Sequence, residues 1–307
     1  MRFLTIFVFL MAMVCVGTAK DETKVADLVK QHLNSIGTDQ ARAAVKSRAT
    51  EGTVSFQVEN STSGHQDGKE VFASDGGKFV SLLKLPNPNY HGERFVSDGK
   101  KTLIAQVKPG AWSRLGDFVM VHNEILTEGL WGGTLSTGWA LAHLDERLAK
   151  LQDRGLKKID GRELRRVDYA PKKRSDLEIQ LYFEPDTFRH VMTVYSMTIS
   201  PQMGTSDIAT ARQQETRYRL EERFADFKSV DGLNLPEKWT IEFTFENGAG
   251  AMANAQGLTA VQTGEAGIVP ISAAGVGAGK SPVSHFEVTI TSISNNVQID
   301  PKNFEVK

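Results

Sequence analysis

Hydrophobic and polar positions change period along this chain, and the changes divide it. Val25, Leu28, Val29, His32, Leu33 and Ile36 recur at three-four spacing. This predicts a helix over 21–37 with Gly37 as its stop. A second short helix carrying Ala41, Ala44 and Val45 follows, with Asp39 as its expected cap. From Ala49 the period becomes two: Val54, Phe56 and Val58 alternate with Ser55, Gln57 and Glu59. Further strands are expected around Glu70–Ala73, Lys78–Leu83, Glu93–Ser97 and Thr102–Val107. Asp75-Gly76-Gly77 and Asp98-Gly99 mark hairpin turns between them.

Residues 116–151 interrupt the strands. Phe118, Val121, Ile125 and Leu126 suit one helix, and Leu141, Leu144, Leu148 and Leu151 suit another, with Trp131 and Trp139 at the join. Alternation then resumes through Leu177–Phe183, Val191–Ile199, Tyr218–Phe227, Trp239–Phe245 and Phe286–Ile290. One apolar and one polar face per strand is the mark of an antiparallel sheet. About ten strands are expected, and a sheet of that width must curl to bury its apolar side. The fold class read from the pattern is mainly β with helices (α+β): one curved antiparallel sheet under a helical cover. No boundary divides the strands, so residues 20–307 read as a single domain. Residues 247–283, rich in Gly and Ala, read as a flexible insertion within it.

Residues 1–19 combine Arg2, an apolar run from Phe3 to Val16 and the small residues Gly17-Thr18-Ala19. That is the pattern of a cleaved secretory signal peptide. Cys15 follows Val14, a poor match to a lipidation site, so outer-membrane attachment is the weaker alternative. Removing the segment takes away the only cysteine and leaves 35 basic against 37 acidic groups. A thiol-free, nearly neutral exported chain fits the periplasm. It lacks the basic surplus of a nucleic-acid binder and the cysteines of a metal cluster.

Chemistry-bearing motifs fall short of their requirements. Ala274–Ser281 resembles a phosphate-binding loop, but Pro282 and a strand follow where that loop needs a helix. The seven histidines, among them His122 and His143 at the insert, contain no HExxH and no helical i, i+4 pair. Ser136 lies in Gly-Thr-Leu-Ser-Thr-Gly, where Thr134 stands in place of the first glycine of a nucleophile elbow. Glu51, Asp168, Glu178 and Glu242 occupy polar strand phases and read as solvated. Arg162–Arg166 with Lys172-Lys173-Arg174 reads as a charged outer face, the alternative being contact with anionic lipid or an acidic partner. No catalytic residue, metal or cofactor is expected.

The remaining signal is apolar. Phe56, Phe79, Phe95, Leu181, Phe183, Trp239, Phe243 and Phe286 are expected to line the concave side of the sheet, with Phe118, Ile125, Trp131 and Trp139 across its mouth. Either they fill an ordinary core or, if the insert lifts, they form a site that an acyl chain can occupy at ~0.8 kcal/mol per buried methylene.

The chain resembles the LolA/LolB-like superfamily of outer-membrane lipoprotein-sorting proteins. The resemblance rests on Val25–Leu33 with Ile36-Gly37, Ala44-Val45-Lys46, Glu51-Gly52-Thr53, Tyr182–Thr187 with His190-Val191, Phe227–Pro236, Ile293–Asp300 and Phe304. It implies an unclosed antiparallel barrel with a helical lid over an apolar cavity. It implies a non-enzymatic binder of lipoprotein acyl chains or phospholipid, a carrier in lipoprotein sorting; a monomer is expected. The superfamily also contains sensors, so an envelope lipid sensor acting on a membrane protein is the alternative, with an envelope enzyme of unknown class as the third reading.

Overall fold

The computed structural model describes residues 15–58, 65–110, 112–199, 216–247 and 283–307. Residues 1–14 of the expected signal segment and residues 248–282 of the expected insertion lie outside them. Among the described residues no helix is long and apolar enough to cross a membrane.

Helix α1 is Cys15–Ile36, ending where Gly37 was expected to stop it. A side chain at Gly37 would meet the Gly232 carbonyl at 2.7 Å, so the close approach of the two turns needs glycine there. Helix α2 is Asp39–Ala44, and its cap is Thr38, whose hydroxyl accepts from Ala41 N, rather than the expected Asp39. Asp39 instead holds Arg42 in an ion pair.

Among the described residues twelve strands form one antiparallel sheet. They are β1 Ser47–Val58, β2 Gln66–Asp75, β3 Lys78–Lys84, β4 Gly92–Ser97, β5 Thr102–Gln106, β6 Lys150–Ile159, β7 Arg162–Ala170, β8 Glu178–Phe183, β9 His190–Ile199, β10 Thr216–Val230, β11 Leu233–Asn247 and β12 Val283–Asn295. Their order is β5-β4-β3-β2-β1-β12-β11-β10-β9-β8-β7-β6. The two edges, β5 and β6, are consecutive in the chain, so the sheet is a meander cut open at one seam. The unclosed half-barrel expected from the sequence is present. The two strands beyond the expected ten are β6 and β7. β6 has no buried residue, charged side chains hold ten of the hairpin's nineteen positions, and the buried Leu164, Val167 and Tyr169 of β7 do not alternate strictly, so hydrophobic alternation could not reveal it.

The segment joining β5 to β6 therefore runs from one open edge to the other and lies over the concave face. It contains α3 Arg114–Val121, α4 Glu124–Thr127, two 3-10 turns at Gly133–Leu135 and Ala140–His143, and α5 Leu144–Arg147. The second long helix expected over Leu141–Leu151 is replaced by these short pieces, and Leu151 belongs to β6. The convex face is not uniformly wet: the 3-10 turn Pro301–Phe304 buries Phe304 against Ala73, Val80 and Val96.

Candidate functional site

All twelve side chains expected at the concave face and its mouth come together in one core. Phe79, Phe95, Phe118, Ile125, Trp131, Trp139, Leu181, Phe183, Trp239, Phe243 and Phe286 are buried, and Phe56 is half-buried at the rim. Rings from the insert interlock with rings from the sheet. Trp131 lies 4.8 Å from Phe95 and 5.3 Å, edge-on, from Trp239. Phe118 lies 5.2 Å from Phe243, and Phe56 lies 4.5 Å from Phe286. In this conformation the concavity is filled by the insert's own side chains.

Buried polar pegs hold the insert down. On β4, Glu93 accepts from Ser113 N and from its hydroxyl, both at 2.7 Å, just ahead of α3. On β10, Glu222 accepts from Gly132 N at 2.8 Å, Tyr195 Oη at 2.7 Å and Trp239 Nε1 at 3.0 Å. On β1, Arg48 donates to the carbonyls of Thr134 at 2.8 Å and Leu135 at 3.3 Å and to Asn295 Oδ1 at 2.8 Å. The indole N–H of Trp139 donates to His32 Nε2 on α1 at 2.9 Å. Nε2 being an acceptor, the neutral imidazole carries its proton on Nδ1, which donates to Phe188 O at 3.0 Å.

Burial governs how these groups titrate. It pushes Glu93 and Glu222 up to about 7, against the hydrogen bonds that favour their charged forms. It lowers Arg48 to about 10 and His32 to about 4. Each peg has its hydrogen-bonding capacity committed to holding backbone or rings in place. Gly132 sits at φ +73°, and a side chain there would meet the Phe72 ring at 2.9 Å, so glycine brings its N–H within reach of Glu222.

An open groove of about 710 Å³ lies to one side, between α1 and the edge strand β6. Val25, Val29, Leu33, Leu144 and Leu151 supply its apolar lining; Lys30 and Lys150 are cations on it, and Arg42 and Asp39 line it as an ion pair. None of the twelve expected ligand-facing residues lines it. Its helix side was in the α1 periodicity, where Val29 and Leu33 flank the buried stripe. Its strand side was hidden with β6.

The pegs were missed as functional residues, although their phase was visible. Glu222 shares the apolar phase of Leu220 and Phe224, Glu93 that of Phe95, and His32 lies four residues from both Leu28 and Ile36. A charged or imidazole group at a buried phase signals a committed interior partner. Glu51 and Glu178 are exposed on the convex side, while Asp168 and Glu242 are partly exposed there, paired with Arg166 and His285. His122 is buried beside Glu124, because Phe118 and the turn after α3 cover it. The arginines of 162–166 are neutralised locally, Arg162 by Glu184, Arg165 by Asp153 and Arg166 by Asp168. Among the described residues no cluster of His, Cys, Asp and Glu could hold a metal ion.

The chain matches no family model and no curated protein sequence. Among solved structures it is similar to a DUF1329 family protein from Desulfovibrio piger (12 % identity, TM-score 0.43), over 92 % of this chain and 97 % of that one. It is also similar to a LolA superfamily protein from Nitrosomonas europaea (10 % identity, TM-score 0.42, 92 % and 97 % covered). A third is a Vibrio parahaemolyticus domain assigned to outer-membrane lipoprotein sorting (8 % identity, TM-score 0.40, 90 % and 95 % covered).

Proposed function

We propose that this protein is an exported, non-enzymatic binder of acyl-chain amphiphiles, either lipoprotein acyl chains or phospholipid, and acts as a periplasmic carrier in lipoprotein sorting. The observation that carries the reading is the groove between α1 and β6: an apolar lining with Lys30 and Lys150 beside it. Its volume falls in the range of small-molecule sites. Burying about ten methylenes there would contribute roughly 8 kcal/mol, the scale of a micromolar dissociation constant before ordering costs are deducted. The cations match an anionic head group.

The aromatic concavity is the second half of the proposed site. The same insert that roofs it also lines the groove, through Leu144, and leads directly into Ala149, Lys150 and Leu151. Lifting the insert would extend the groove into the space now held by Trp131, Phe118 and Ile125. Glu93, Glu222, Arg48 and His32 spend hydrogen bonds on the insert, which fits a gate better than catalysis.

Titration of the mature protein with a fluorescent fatty acid tests this reading. Saturable binding, weakened at least tenfold by Leu33→Trp with an unchanged melting temperature, is the expected outcome. Binding indifferent to Leu33→Trp would remove the groove from the account.

A further inference from the structure

Opposite the hairpins 75–78 and 98–101, one rim of the sheet gathers the ends of β1, β3, β5, β9 and β11 and the starts of β2, β4, β10 and β12. Helix α3 lies across this rim. Its first residue, Arg114, stacks 4.0 Å over the Phe245 ring on β11, and Ser113 is bonded to Glu93 on β4. Four of the six large hydrophobic side chains exposed among the described residues belong to this end: Trp112 (41 % exposed), Met120 (49 %), Val121 (71 %) and Ile199 (47 %). Exposed apolar side chains gathered at one end mark a contact surface rather than scatter.

The same rim holds a pocket of about 160 Å³ whose ionisable lining residues are Lys84, His91 and Lys108. No carboxylate lines it, and Lys84 and Lys108 have no ion-pair partner among the described residues. Lys69 stands directly across the β2–β3 ladder from Lys84, a like-charge pair that the sheet tolerates at a cost. Asp67, the nearby acid on β2, is already held by His65 at 2.8 Å. Gly110, two residues beyond Lys108, lies beside His91, since a side chain there would meet its ring at 3.8 Å. Cations in a pocket sized for a phosphate group therefore adjoin an exposed tryptophan and an apolar helix face. This differs from the arginines of β7, each of which has its own acid.

We infer that this rim is a membrane-docking surface. Lys84, Lys108 and His91 take the phosphate of an anionic phospholipid, while Trp112, Met120 and Val121 enter the head-group layer. An amphipathic aromatic beside basic side chains is the chemistry of that interface. The inference rests on the rim alone and stands whether or not the α1–β6 groove holds an acyl chain.

The chain has four tryptophans, of which Trp131, Trp139 and Trp239 are buried, so Trp112 reports on this surface. Mature protein is mixed with vesicles of phosphatidylcholine alone or with added phosphatidylglycerol, and flotation and tryptophan emission are recorded. Docking predicts co-flotation with the anionic vesicles only, a blue shift absent in Trp112→Phe, and loss of both in high salt. Lys84→Gln with Lys108→Gln should weaken vesicle binding roughly 30-fold, at ~1 kcal/mol per cation, with an unchanged melting temperature. Equal binding to neutral vesicles, a double variant that binds as wild type, or no vesicle binding would each overturn the inference. So would inorganic phosphate binding to the wild type but not the double variant, without vesicle binding, since it assigns the pocket to a free anion.

Discussion

Trp139 donates its indole N–H to His32 Nε2 across 2.9 Å, joining the inserted segment to helix α1 in the dry centre of the protein. The contact requires a neutral imidazole, because a proton on Nε2 would face the indole proton. Burial lowers His32 from 6.5 to about 4, so its stabilising contribution is complete above pH 6.5 and is lost as the pH falls toward 4. The loss amounts to roughly 3 kcal/mol. Thermal melts from pH 7 to pH 4 should show a falling transition temperature that is flatter in His32→Gln. A His32→Gln curve parallel to the wild type would remove this link.

Glu222 titrates with the opposite sign. Its folded-state value of about 7 lies above the ordinary 4.5, so its contribution is complete below pH 4.5 and is lost as the pH rises through 7. Glu222→Gln keeps the shape and an acceptor for Gly132 N without the charge. Relative to wild type, the variant should gain stability between pH 5 and pH 8, by up to roughly 3 kcal/mol. Urea unfolding at the two pH values measures this, and an equal wild-type-to-variant difference at both would refute it.

Arg48 is the peg whose loss most directly frees the insert. Arg48→Met should leave the Thr134 and Leu135 carbonyls buried without their donor, at a cost of about 2–4 kcal/mol. Hydrogen exchange should then accelerate over residues 128–140 before it changes in β9–β11. Uniform acceleration across the sheet would mean that Arg48 stabilises the whole fold and not the insert.

Gly132→Ala tests the backbone side of the same latch. Its φ of +73° and the 2.9 Å approach to Phe72 both oppose a side chain. The variant should lose more than about 1 kcal/mol, and the Tyr195 and Trp239 bonds to Glu222 should remain, since neither involves residue 132. Near-ultraviolet circular dichroism, dominated by the buried tryptophans, should therefore keep its wild-type form at low temperature.

Much of this architecture is legible in the residues. Strands such as Trp239–Phe245 announce themselves because one face meets the core and the other meets water. The α1 stripe is equally plain, and it already contains His32. The β6–β7 hairpin is hard to read because charged residues hold ten of its nineteen positions and its buried residues, Leu164, Val167 and Tyr169, break strict alternation. The insert misleads for a different reason. Leu141, Leu144, Leu148 and Leu151 have helical spacing, yet the segment must reach from edge β5 to edge β6, and Leu148 turns left-handed (φ +55°) to enter the strand. The twelve aromatic and aliphatic residues were identifiable as a group, but their phase alone cannot distinguish a filled concavity from one that opens. The groove beside α1 needed coordinates, because half of it belongs to the hidden strand.

Native mass spectrometry of the mature protein, purified gently from its own envelope, addresses the central claim. The account predicts an added mass of an acyl-chain lipid or lipoprotein that disappears on delipidation, returns when the lipid is restored, and is depleted in Leu33→Trp. A protein that arrives bare, and stays bare after exposure to phospholipid and fatty acid, would contradict it.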